Sequence, residues 1–173
     1  MAPDDPLPPY SYVPGGPWPH PISGAGGHLA DTPRHPVSPI EADAWHRSAA
    51  YLRGVRLYNA GYYWEAHEAW ESLWHAHHRR GPTADVLKAL IKLAAAGVKV
   101  RQGQPRGVST HALRAAELFE GVVALGVPRL LGLDLSSWAS LARRLAADPP
   151  IAPADLRPVV AGLLGPPIEP EDG

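Results

Sequence analysis

Cysteine is absent from all 173 residues, which excludes disulfides, zinc–thiolate sites and cysteine-held iron–sulfur clusters within the chain. Charge of one sign is also scarce. The formal net charge is −1 at pH 7, so no global field draws the chain to nucleic acid or an anionic membrane. The start, "MAPDDPLPPY", lacks the basic-then-apolar layout of a leader, and no apolar run reaches membrane-spanning length. A G-x-S-x-G elbow is missing, and with no cysteine nucleophilic catalysis has no support. "RQGQPRGVS" (101–109) precedes a helix start but fits neither a P-loop nor a dinucleotide fingerprint, and reads as a solvated turn. No stretch alternates apolar and polar residues long enough to predict a strand. The expectation is a soluble, cytoplasmic, all-α protein with no nucleic-acid and no membrane partner.

Proline, by contrast, is abundant and uneven. Eleven of the 21 prolines lie at or before Pro39, so residues 1–37 cannot be helical. Yet this stretch carries Tyr10, Tyr12, Val13, Trp18 and Ile22, whereas disordered tails are poor in aromatics. It is expected to form an extended arm, either lying back on the body or left as a loose tail. Residues 38–165 then form the helical domain and 166–173 a C-terminal tail.

Within that domain the spacing predicts a compact antiparallel bundle of about five helices. The first opens on "SPIE", with Ser38 as N-cap and Glu41 completing a capping box, and stops near Gly61. The second is "YNAGYYWEAHEAWESLWHAHH" (58–78), closed by "RRGP", with "HHRR" (77–80) suiting the negative end of a helix dipole. The third, "TADVLKALIKLAAAGVKVRQG", is apolar nearly all round, so it is either central in the chain or the seam of a homo-oligomer. A fourth covers about Ser109 to Leu125 and a fifth "SSWASLARRLAAD"; a short sixth around Leu156 to Leu164 has Pro158 in its first turn.

The second helix holds the chemistry. At about 100° per residue, Glu68, Glu71, His75 and His78 share one stripe, Glu65 stands just beyond it, and Tyr63, Trp70 and Trp74 supply another face. "HEAWE" (67–71) lacks the second histidine of the H-E-x-x-H zinc helix, and Trp74 stands where a di-iron Glu-x-x-His needs histidine. A divalent metal could still be held by Glu68, Glu71 and His75, with manganese, iron or zinc suited to oxygen and imidazole ligands. As acid/base candidates, Glu68, Glu71 and His67 stand beside an aromatic wall. Lys88, Lys92 and Lys99, the only lysines, fall in one narrow arc of the third helix. Set against Glu65, Glu68 and Glu71 in a hairpin, they could form a structural polar network instead.

"YNAGYYWEAHEAWESLW" followed by "LKALIKLAAAGVKVRQGQPRGV" resembles the bacterial and archaeal domain of unknown function numbered 309. That family carries an E-A-H-E-x-x-E-x-x-W core. The resemblance covers about residues 51–125 and implies a compact all-helical bundle without implying an activity. The motif positions it carries over are Asn59, Gly61, Glu65, His67, Glu68, Glu71 and Trp74, then Gly103 and Gly107. Two departures are Lys92, where the family usually has glutamine, and Gln104, where it usually has asparagine.

Two functions are thus open: a non-catalytic binding or scaffold module with a structural Glu/His/Lys network, or a metal- or small-ligand-dependent enzyme using the Glu/His face. The partner would be a small ligand or another protein. The enzyme reading requires Glu68 and Glu71 to line a pocket open to solvent, roofed by the arm at Tyr12, His20 or His28. The scaffold reading requires direct Glu–Lys or Glu–His pairs and no cavity.

Overall fold

The computed structural model describes residues 5–32 and 36–171, so parts of the expected arm (1–4 and 33–35) and of the expected tail (172–173) lie outside the described residues. Five helices follow one another: α1 (Ala49–Asn59), α2 (Tyr63–Ala76), α3 (Pro82–Arg101), α4 (Pro105–Ala124) and α5 (Leu135–Ala147). A two-residue hairpin, β1 (Arg129–Leu130) with β2 (Leu133–Asp134), joins α4 to α5. It is too short to show as alternation in the sequence.

Each helix packs on its successor in the chain. Tyr63 at the start of α2 meets Gly97 near the end of α3, while Lys88 near the start of α3 lies over Trp74 near the end of α2. The two helices are therefore antiparallel. Thirteen of the twenty α3 residues are buried, covered by α2 and α4 of the same chain. The all-round apolar character of this helix is thus satisfied without a second copy.

Local signals were overridden in two places. The expected cap at Ser38 does not start a helix: Ile40 is buried, and its N–H donates to His77 Nε2 at 2.9 Å. That anchor keeps the chain out of an α-helix, apart from one 3-10 turn at Trp45–Arg47, until Ser48, whose hydroxyl caps α1 by accepting from the Tyr51 N–H. The expected sixth helix is also absent. Around it the carbonyls of Asp155 and Pro158 accept from the buried Arg101 guanidinium, and Leu163 N–H donates to the Tyr63 hydroxyl. Packing of this segment on α2 and α3 replaces its own helical hydrogen bonds.

The C-terminal segment is held further by Asn59. Its amide donates to the Ile168 carbonyl and accepts from the Ile168 N–H, both at 2.8 Å. Gly61, at φ +87°, lets the same segment approach: a Cβ there would lie 2.4 Å from the Val160 carbonyl oxygen.

Close approach also sets the α1–α2 contact. A Cβ on Gly54 would lie 2.2 Å from the indole nitrogen of fully buried Trp70. Gly54→Ala is expected to lose about 1–3 kcal/mol in chemical denaturation, as overpacking in a closed core does. Gly121→Ala, where no neighbour stands within 4 Å, is expected to gain roughly 0.5–1 kcal/mol from helix propensity. Equal effects at the two positions would contradict the packing described.

Candidate functional site

Helix α2 directs its polar residues to two separate sides. Glu65, Glu68, Ala69, Ser72 and Leu73 face α1 and the arm, and line a cavity of about 870 Å³. His67 and Glu71 lie on the other side, toward α3. Glu68 borders both, because positions 65, 68 and 72 follow one helix stripe while 67, 68 and 71 follow the next.

The arm makes the cavity. Tyr10 and Val13 are buried, and Ser11 donates its hydroxyl to the Gly61 carbonyl. Gln102 reaches up from the end of α3 to the Pro14 carbonyl, and Arg53 of α1 donates to the carbonyls of Asp5 and Pro6. Tyr12, His20 and Trp64 meet edge to face with centroids 5.0–5.3 Å apart. Tyr10 stacks on Trp18 and meets the His28 ring edge-on. Of the three arm residues singled out in the sequence, Tyr12 and His20 clamp Trp64, while His28 reaches the cavity wall.

At that wall lies the one buried carboxylate among the described residues, Glu65, only 4% exposed. Its Oε1 accepts from the Tyr12 N–H at 2.9 Å and lies 3.7 Å from His28 Nε2. Its Oε2 has no hydrogen-bond partner, nor has either ring nitrogen of His28. Burial raises the Glu65 pKa to about 7, against the opposing Tyr12 hydrogen bond, and the Glu68 charge adds to the rise. Burial pushes His28 below its ordinary value. The pair thus holds a carboxyl group that is part-ionised near neutrality beside an imidazole kept neutral, an arrangement able to exchange protons or hydrogen-bond a guest.

The expected Glu–Lys network does not close. Among the described residues Glu65, Glu68 and Glu71 make no ion pair with Lys88, Lys92 or Lys99. Glu65 points to the arm instead. Lys88 Nζ sits over the Trp74 ring at 3.7 Å, with Glu71 exerting a weaker pull on it. Lys99 donates to the side-chain amides of Gln102 and Gln104, so the Gln104 departure from the family pattern keeps a partner. Lys92 and Lys99 lie close enough to half-buried His111 to disfavour its protonated form, after burial itself.

The candidate metal set is also regrouped. One ligand atom each from His67, Glu68 and Glu71 fall within 4.8 Å of one another, and His67 Nδ1 lies 3.5 Å from Glu68 Oε1. His75 is elsewhere: its Nδ1 accepts from the Arg79 guanidinium. His67 and Glu68 are each about 30% exposed, so this cluster could exchange ligands with solvent. Arg53 was not identified from sequence. It sits among apolar positions of α1 and gives no local sign that arm carbonyls will satisfy it.

The Glu65 environment makes stability depend on pH. Its raised proton affinity stabilises the fold fully below pH 4.5, the ordinary value, and this contribution is lost as pH rises to about 7. The stability of wild type minus that of Glu65→Gln, from urea melts at a series of pH values, should fall across that window by on the order of 3 kcal/mol. A difference that does not change with pH would contradict the burial of this carboxylate.

Residues 51–110 match the model of a family described as a domain of unknown function, DUF309. No curated protein and no solved structure matches the chain. The matched segment begins within α1 and ends in the second turn of α4, so it contains Asn59, Gly61, Glu65, His67, Glu68, Glu71 and Trp74 with the lysine stripe opposite. This α1-to-α4 segment, about a third of the chain, is similar to the domain of unknown function family 309.

Proposed function

We propose that the protein is a small-ligand-binding helical domain, with its ligand held between the arm and helices α1 and α2. The observation that carries this reading is the cavity of about 870 Å³ bordered by Glu65 and His28, where Glu65 Oε2 and both His28 ring nitrogens are buried without hydrogen-bond partners. Cavities of this size, largely apolar with a few convergent polar groups, suit small organic molecules. The scaffold reading required direct Glu–Lys or Glu–His pairs and no cavity: Glu–His contacts are present at Glu65–His28 and Glu68–His67, and the cavity counts against it. The Glu65–His28 pair also equips the site for acid/base work, at residues other than the Glu68, Glu71 and His67 of the enzyme reading. No nucleic-acid or membrane partner is expected: the net charge is near zero, and among the described residues no helix is long and apolar enough to cross a membrane.

Ser72 is exposed at the rim of this cavity, so a bulky side chain there narrows the entrance without disturbing the core. A ligand-observed NMR screen of small organic molecules against the full chain should yield binders of the wild type that no longer bind Ser72→Trp. A screen without binders, or binders indifferent to Ser72→Trp, would contradict the reading.

A second reading rests on the His67, Glu68 and Glu71 group, a divalent-metal site on the other side of α2. It requires stoichiometric manganese, iron or zinc in the purified protein, lost in Glu68→Gln/Glu71→Gln. Protein free of metal after incubation with each of the three would end it.

A further inference from the structure

We infer that the ligand of the arm–helix cavity carries an ammonium group on an apolar body, with the cation placed at Glu65. This rests on the cavity being a ligand site, and goes further by assigning the ligand's chemistry.

Charge is the first ground. The cavity is lined by four carboxylate residues, Asp5, Glu41, Glu65 and Glu68, and by two guanidinium residues, Arg47 and Arg53. Both terminal nitrogens of Arg53 already donate to carbonyls of the arm, and Arg47 is exposed. Glu41 is exposed like Arg47, so the buried part of the wall sets Glu65 against Arg53, whose Nε is buried without a partner, with half-buried Glu68 beside them. An anionic guest would meet both glutamates, and the one buried cation of the lining, Arg53, is held to the arm by both terminal nitrogens.

Hydrogen-bond capacity is the second. Glu65 Oε2 is buried without a donor, and the side chains of Glu65 and His28 are only 3% and 7% exposed. An ionised carboxylate only accepts, and a neutral imidazole offers one acceptor nitrogen. Glu65 Oε1 and His28 Nε2 stand 3.7 Å apart, so a single ammonium nitrogen, with three donors, can lie within hydrogen-bond distance of both. An alcohol supplies one donor and no charge. Since Oε2 shows almost no surface to water, entry of the guest shifts the arm segment that covers Glu65.

Leu29, Val37, Ile40, Leu57 and Leu73 offer a wall for a hydrocarbon body, with the hydroxyl residues Thr32, Ser38, Ser48 and Ser72 also in the lining.

The test is calorimetric titration of the full chain with three matched probes, 4-phenylbutylamine, 4-phenyl-1-butanol and 4-phenylbutyrate, at about pH 8, where Glu65, with its pKa of about 7, is ionised. The amine should bind roughly tenfold or more tighter than the other two, the size of a charge-assisted hydrogen bond. Glu65→Gln should abolish that advantage while leaving the alcohol unchanged, and Ser72→Trp should weaken all three. If Glu65→Gln does not fold, the wild type at about pH 5.5 serves instead, and the amine's advantage should shrink as Glu65 protonates. Alcohol or carboxylate binding as tightly as the amine overturns the ammonium assignment and leaves the cavity reading standing. So does an amine advantage that persists in Glu65→Gln or at the lower pH. No binding by any probe, or binding unchanged in Ser72→Trp, overturns the inference together with the cavity reading.

Discussion

The Tyr12 amide donates to Glu65, and this single bond between the arm and α2 ties together most of what is distinctive in the structure. A carboxylate on the inward side of a helix cannot be left in an apolar setting without donors. Helix α1 supplies none to Glu65: its own buried cation, Arg53, is turned to the arm carbonyls of Asp5 and Pro6. The arm meets both needs, donating to the glutamate and accepting from the arginine. In doing so it seats Tyr10 and Val13 and brings His28 to the cavity wall. The proline-rich segment thus closes a site whose helical sides are α1 and α2.

The family motif then separates into parts with different tasks. Asn59 and Gly61 serve the C-terminal segment, one by a reciprocal pair of hydrogen bonds and the other by leaving room for Val160. Gly107 leaves room for the Lys99 stem, which a Cβ would meet at 2.9 Å. Trp74 carries Lys88 over its ring, a cation–π contact that takes the place of an ion pair for that lysine. Glu65 alone among the motif carboxylates is buried. His67, Glu68 and Glu71 remain half-open and near one another, available to a ligand from solvent.

Periodicity made much of this legible. The apolar run of α3 marked it as central, and of the aromatic face of α2, Tyr63, Trp70 and Trp74, the first two are buried and the third partly so. Aromatics in a proline-rich stretch left a packed arm and a loose tail both open, and Tyr10 and Val13 are buried. What stayed hidden depends on contacts far apart in sequence. A helical wheel gives the direction of Glu65 but not what stands there, so the lysines of α3 were its expected partners, whereas the arm supplies the donor. The Ser38 capping box was a sound local signal, overruled because burying Ile40 and satisfying its amide through His77 require an extended chain. His75 was the expected metal ligand and His67 an acid/base candidate, but Arg79, in a left-handed turn at φ 61°, occupies His75, and His67 stands with Glu68 and Glu71 instead.

The account rests on Glu65 being buried beneath the arm, and a pH titration by NMR tests this most directly. The side-chain carboxyl carbon of Glu65 and the backbone amide of Tyr12 are followed in one experiment on the full chain. Both signals should move together with a midpoint of about 7, because the amide reports the charge of the carboxylate it bonds. A Glu65 midpoint in the ordinary range near 4.5, with the Tyr12 amide indifferent to it, would contradict the account: the arm would then not cover the site.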